Sequence, residues 1–145
     1  MRKLVLFSTI AVFLFALTAC GGGGKYADAK KVVSEMIDIT NNFLGDVEAA
    51  GDAQGVAKAI DNYADSMKSL APKMKEMQEK YPELKDAKDE DMPAELKDVM
   101  MELEESMKKM MNPESGLAQK MMQYATDPVV MEAQKRLMEA MSELR

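Results

Sequence analysis

The feature that most constrains the fold is the helical spacing of apolar residues from Tyr26 to the end of the chain. Apolar side chains recur three and four residues apart, which places them on one face of an α-helix. This part of the sequence lacks the signals typical of strands and hairpins, such as β-branched runs, period-two alternation and Asn-Gly turns. We therefore predict an all-α domain over residues 26–145, an up-and-down bundle of four or five helices.

Capping and breaking residues divide the first half of this domain. We predict a first helix from about Tyr26 to Ala50, ended by Gly51, and a second helix from about Ala53 to Lys80. Asp52 is placed to cap the second helix, because its carboxylate can accept from free N–H groups of the first turn. Pro72 lies inside that helix and predicts a local kink.

The second half contains further start signals. Its predicted elements are a connection over residues 81–92, a third helix over 93–111, a short helix over 117–125 and a last helix over 129–144. A capping residue followed by proline, at Asn112 with Pro113 and again at Asp127 with Pro128, marks the starts of the last two helices. The short links predict that consecutive helices are antiparallel neighbours.

The first twenty residues have a different pattern. Two basic residues, Arg2 and Lys3, precede an apolar run over 4–16, and Leu17, Thr18 and Ala19 lead to the only cysteine of the chain. This segment resembles a bacterial lipoprotein signal peptide that ends in a lipobox. The resemblance implies removal of residues 1–19 and attachment of acyl chains to residue 20, the new first residue. Several acyl chains hold a protein firmly on a membrane.

The resemblance also implies a place for the mature chain. Cys20 would be lipidated, and residues 20–25 would form a short glycine-rich tether between the lipid and the helical domain. Gly21 stands where an aspartate favours retention in the inner membrane of enterobacteria. In a Gram-negative source we therefore expect the lipid in the outer membrane, with the domain on its periplasmic face.

The charge balance limits the partners. Arg2 and Lys3 leave with the signal peptide, so 17 of the 19 basic residues and all 25 acidic residues remain, a net charge of −8. An acidic domain disfavours nucleic acid and anionic headgroups, whose binding depends on Lys and Arg. We expect no nucleic-acid partner and a membrane contact through the lipid on Cys20 alone.

The residue inventory excludes much catalytic and metal chemistry. The chain has no histidine and no cysteine besides Cys20, which removes imidazole bases, zinc sites built on His or Cys, and His-ligated haem. Ser106 and Lys109 match Ser-x-x-Lys without the accompanying motifs of penicillin-binding enzymes, so we interpret the match as chance. An acidic run lacks the spacing of a calcium loop and is interpreted as a solvated linker: Asp86, Asp89, Glu90 and Asp91. No cofactor is expected.

Methionine is the compositional oddity of the mature chain, with fifteen of the sixteen methionines beyond residue 19. Nine lie on or near the apolar faces and are predicted to pack in the core: Met36, Met67, Met74, Met77, Met100, Met107, Met111, Met121 and Met141. Four lie off those faces: Met101, Met122, Met131 and Met138. For these four the sequence favours a second buried face, ahead of an exposed surface for a partner or sulfur ligands for Cu(I).

These observations favour a non-enzymatic envelope lipoprotein whose bundle binds another protein or supports the envelope. The alternative is a periplasmic protein that binds Cu(I) or a small ligand through methionine sulfur, with the four off-face methionines as the candidate metal ligands. Catalysis by carboxylates and lysines alone is a third hypothesis, for which the sequence offers no paired site.

Overall fold

The computed structural model describes residues 24–85 and 91–143. Within these ranges the chain is helical and has no strand, which confirms the prediction of an all-α bundle. The helices are α1 (Ala27–Ala49), α2 (Ala53–Lys80), α3 (Ala94–Met111), α4 (Gly116–Gln123) and α5 (Pro128–Glu143), with a 3₁₀ turn at Pro82–Leu84. The predicted signal peptide, Cys20, most of the acidic run (Asp86, Asp89 and Glu90) and Leu144 lie outside the described residues.

Two of the predicted helix starts are confirmed in detail. The Asp52 carboxylate accepts a hydrogen bond from the backbone N–H of Gly55 at 2.8 Å, which caps α2. The Asp127 carboxylate accepts from the backbone N–H of Val129 at 3.0 Å, and α5 begins at the intervening Pro128. In both places a short acidic side chain satisfies an N–H that the first turn leaves free.

Two other predictions about helix ends are wrong. Ser115, not Asn112, caps α4, because its hydroxyl accepts from the N–H of Ala118 at 3.1 Å, while Asn112 closes the turn that precedes it. Helix α1 ends without a left-handed glycine: Ala50 leaves it in an extended conformation with φ −61° and ψ 128°, and the backbone of Gly51 has no positive φ. The backbone is extended directly after α1, because Asp52, two residues further on, already caps α2.

Helix α1 packs antiparallel on α2. Near the middle of α1, Glu35 accepts from the Lys73 ammonium at 2.6 Å, and near its start Asp28 pairs with Lys80. Helix α2 continues without a break through Pro72, whose side chain is exposed. The backbone group that this proline leaves without a helical partner therefore lies on the side open to water.

The remaining long helices pack on the outer sides of this pair. Helix α3 runs parallel to α1. Toward the end of α3, the Ser106 hydroxyl donates to Asn41 in the second half of α1 at 3.2 Å. Helix α5 runs parallel to α2, and the Arg136 guanidinium contacts both Asp61 carboxylate oxygens at 2.8 Å. The spatial order is therefore α3, α1, α2, α5.

This order differs from the expected antiparallel neighbours. Helix directions alternate along the chain, but in the described part neither α2 with α3 nor α3 with α5 forms an extended interface. The segment after α2 carries the chain past the start of α1, where buried Tyr81 packs with Ala29, Val33 and Leu96. Within the described ranges no helix combines the length and apolar character needed to cross a bilayer.

The core of the described residues lies within the helical domain. Its three hydrophobic clusters, with the side chains that pack on them, are formed by residues between Tyr26 and Leu137. The largest fully buried side chains are Ile60, Leu70, Leu96, Val47, Val56 and Val130. A chain that begins at Lys25 therefore contains this core and is expected to fold by itself, without a metal ion.

We predict that Ile60→Ala lowers the free energy of unfolding of this domain by about 2 to 5 kcal/mol, because a fully buried side chain leaves a cavity. Urea unfolding followed by far-ultraviolet circular dichroism in chelator measures it. The exposed Met131→Ala serves as control and should change stability by less than about 0.5 kcal/mol. Equal losses in the two variants, or a helical signal that requires metal, would contradict this core.

Candidate functional site

A groove of about 730 Å³ lies between α3 and α5. It exists because α3 packs on α1 and α5 on α2, so the facing sides of the two outer helices stay apart. The floor comes from α1 and α2: Met36, Thr40, Tyr63, Met67 and Met74. The walls come from α3 (Leu103, Met107 and Met110) and α5 (Leu137, Met138, Met141 and Ser142). We call these twelve residues the methionine groove.

Few methionines are fully buried in the core. Of the 22 buried apolar residues in the described ranges, Met67 is the one methionine, and the others are mainly Ala, Val, Leu and Ile. The prediction of core packing is wrong for Met107, Met111 and Met141, which are exposed. On a helical wheel these methionines lie on the apolar faces of α3 and α5. Among the described residues no other helix covers those faces at these positions. Core packing accounts for Met67, which is buried, and for five further predicted core methionines that are partly buried against the hydrophobic clusters: Met36, Met74, Met77, Met100 and Met121. It does not account for the exposed methionines.

The four methionines predicted off the apolar faces are also exposed. Met101, Met122, Met131 and Met138 have between 55% and 78% of their surface accessible, so the favoured second buried face is wrong. Only Met138 lines the methionine groove. Met101 lies in a neighbouring furrow, and Met122 and Met131 line neither cavity. The structure does not bring these four together as one set of metal ligands.

The neighbouring furrow extends the apolar surface along α3. It has a volume of about 560 Å³ and shares Leu103 and Met107 with the methionine groove. Its other lining residues are Met92, Lys97, Met100, Met101 and Glu104. Apolar side chains of α3 therefore line both cavities. The charged side chains Lys97 and Glu104 line the furrow and not the methionine groove.

The two polar residues on the groove floor, Thr40 and Tyr63, have partners within the bundle. The Thr40 hydroxyl donates to the backbone carbonyl of Met36 at 2.9 Å. The ring of Tyr63 packs on Phe43 with centroids 4.6 Å apart. Burial raises the pKa of the Tyr63 hydroxyl, and the Thr40 hydroxyl offsets part of this rise. No carboxylate, ammonium or guanidinium group lines the groove in the described structure, so its chemistry is that of an apolar, sulfur-rich binding surface.

The other sequence candidates do not form sites. Ser106 is buried and donates to Asn41, whereas Lys109 is exposed, so the Ser-x-x-Lys match serves packing between α1 and α3. Among the residues that the structure covers, no three Asp, Glu, Cys or His side chains lie close enough together to hold a metal ion. Asp91, the described member of the acidic run, is exposed.

Lys25, the last residue of the predicted tether, and the adjacent Tyr26 contact the bundle. The Lys25 ammonium contacts Glu83 at 2.9 Å, and the Tyr81 hydroxyl donates to the Lys25 carbonyl at 2.8 Å. The backbone N–H of Tyr26 reaches the Glu95 carboxylate at 3.4 Å. The hydrogen bonds from Lys25 to Tyr26 and to Glu83 raise the pKa of Lys25, and the same ammonium lowers the pKa of Glu83. Lys25 and Tyr26 therefore lie beside the 3₁₀ turn and the first turn of α3.

Sequence reasoning missed the methionine groove as a unit. Its visible signal is a pair of Met-x-x-Met spacings, Met107 with Met110 and Met138 with Met141, since residues three apart share a helix face. That the two faces oppose one another depends on the spatial order of the helices. Comparison with protein-family models, with curated proteins and with solved structures finds no match for this chain.

We predict that the Tyr63 phenol titrates above its ordinary value of 10.0, because burial disfavours the phenolate. The folded-state pKa is the higher one, so this stabilising contribution is present below pH 10 and is lost as the pH rises through the folded pKa. Ultraviolet titration of tyrosinate in the domain and in Tyr63→Phe measures the difference. The tyrosinate signal that Tyr63→Phe lacks is that of Tyr63. If this signal titrates at or below the ordinary value, the Tyr63 phenol is not buried.

Proposed function

We propose that this chain is a lipid-anchored, non-enzymatic binding module of the cell envelope, and that the methionine groove receives an amphipathic helix of a partner protein. The observation that carries the proposal is an open groove in which seven of the twelve lining residues are methionines, three of them exposed: Met107, Met138 and Met141. Flexible, polarizable methionine side chains are typical of surfaces that adapt to varied apolar partners.

The shape of the site favours a helix. Two helices form the floor and two form the walls, so an added helix can lay its apolar face into the groove. The apolar lining follows α3, whose 18 residues correspond to about 27 Å of helix at 1.5 Å per residue. A partner helix of about 18 residues would match that length.

The charge favours a basic partner. The mature chain would carry a net charge of −8. Beside the apolar lining of α3, the exposed Glu104 lines the furrow and pairs with Lys108 at 2.6 Å. Lys and Arg on the polar face of a partner helix would be drawn to this surface and oriented on it. The proposed occupant is therefore an amphipathic helix with an apolar face and basic flanks.

The anchor sets where binding occurs. In this proposal the lipid on Cys20 holds the domain at the membrane, and the glycine tether of four residues spans about 10 to 12 Å. Tyr26 lies beside the first turn of α3, at the end where the furrow begins. In this proposal the furrow would therefore lie nearer the membrane than the methionine groove. In a Gram-negative source this surface would face the periplasm from the outer membrane.

We predict that the domain from Lys25 onward binds an 18-residue helical peptide of Leu and Lys, designed with one apolar face, more tightly than the same peptide with Glu in place of Lys. Replacing Met107 and Met138 with Gln should weaken binding about tenfold or more, since two apolar contacts of the groove are lost. Fluorescence anisotropy of labelled peptide measures both effects.

The matched control replaces Met122 and Met131 with Gln, because these exposed methionines lie outside the groove. This variant should bind the basic peptide as the unaltered domain does. Equal weakening in both double variants would contradict the groove as the binding site. Equal affinity for the basic and acidic peptides would contradict the proposed charge of the partner.

We predict that Cys20→Ser abolishes anchoring, because no described helix can cross a bilayer and residue 20 is the proposed site of acylation. In bacteria fed radiolabelled palmitate, the unaltered chain should carry label and the variant should not. The variant should also keep its signal peptide. Undiminished labelling of the variant would contradict the lipoprotein assignment, whatever the groove binds.

A further inference from the structure

We infer that the methionine groove is a binding site for Cu(I), held by thioether sulfurs from both walls. Met107 and Met110 line it from α3, and Met138 and Met141 line it from α5. Each pair has Met-x-x-Met spacing, which directs both side chains to one side of their helix. The site shares Met107 and Met138 with the proposed surface for a partner helix. It depends on sulfur and not on apolar surface, so the two proposals can be tested separately.

The groove concentrates sulfur from all four long helices. Seven of its twelve lining residues are methionines, and the floor adds Met36, Met67 and Met74 to the two pairs on the walls. The walls belong to helices that do not form an extended interface, and methionine side chains have three rotatable bonds. Thioethers from opposite walls can therefore approach one ion by rotation of side chains, without unpacking the core.

The donor set selects for a soft cation. Thioether sulfur is a neutral, polarizable ligand that suits Cu(I), whereas Ca²⁺ and Mg²⁺ require oxygen ligands and Zn²⁺ is bound by thiolate, imidazole or carboxylate. No carboxylate lines the groove, and the chain contains no histidine. The charge of −8 on the mature chain favours any cation, so the selectivity must come from the sulfur atoms.

The four methionines singled out by the sequence do not supply this site. Of them only Met138 lines the groove, whereas Met101, Met122 and Met131 are exposed elsewhere. These three residues have the same thioether chemistry and are at least 55% exposed, but they do not converge on one cavity. They therefore provide a control that separates a built site from a general affinity of exposed methionine for copper.

The test is anaerobic competition for Cu(I) between the domain from Lys25 onward and a chromophoric Cu(I) chelator, with ascorbate present. We expect one Cu(I) per chain. The groove variant carries Met107→Leu, Met110→Leu, Met138→Leu and Met141→Leu, and its Cu(I) affinity should fall at least about tenfold. The control variant carries Met101→Leu, Met122→Leu and Met131→Leu and should keep the affinity of the unaltered domain.

Leucine keeps the side-chain volume and apolarity and removes only sulfur, so both variants are expected to fold. X-ray absorption at the copper edge gives a second readout on the unaltered domain, independent of any variant: a coordination shell of sulfur atoms is expected. Failure of the unaltered domain to compete, an unchanged affinity in the groove variant, equal loss in the control variant, or a shell dominated by nitrogen and oxygen would each overturn the site.

The same variants separate this inference from the proposed function. The groove variant should still bind the basic amphipathic peptide, because leucine preserves the apolar surface. Peptide binding without Cu(I) binding by the unaltered domain would overturn the copper site and leave the partner proposal standing. Cu(I) binding without peptide binding would support the copper site and overturn the partner proposal.

Discussion

The packing of α1 against α2 is the constraint on which the rest of the structure depends. A link of three residues forces the two helices to run antiparallel, and the Asp52 cap starts α2 immediately after that link. Their shared interface buries Val47, Ile60 and Leu70 almost completely. Helix α3 then packs on the α1 side and α5 on the α2 side. The groove is the space that this order leaves between the two outer helices.

The division of residue types follows from that geometry. Positions enclosed by the helix pair carry Ala, Val, Leu and Ile, whose shapes fill a fixed space, whereas the open side of α3 and α5 carries methionine. Exposed leucine would supply similar apolar area, so methionine adds two properties at these positions, flexibility and a soft sulfur donor. The proposed partner helix depends on the first property and the proposed Cu(I) site on the second.

Much of the fold was predictable from the sequence because its signals are local. Helical spacing predicted all five helices, and the ends of α2 lie where the sequence placed them, at Ala53 and Lys80. The exposure of Met107 and Met141 was not predictable, because a helical wheel shows which face is apolar and not whether another helix covers it. Likewise, the length of the link after α2 did not reveal that this link passes the start of α1. As a result, α3 packs on α1 and not on α2. The groove depends on both of these non-local facts.

The central claim is that the apolar faces of α3 and α5 are open to solvent and not packed together. Nuclear magnetic resonance of the domain labelled with carbon-13 in its methionine methyl groups tests this directly, with a soluble paramagnetic probe that broadens accessible methyl signals. The account predicts strong broadening for Met107, Met138 and Met141 and protection for buried Met67. Protection of all four methyl groups to the same degree would show a closed bundle and contradict the groove.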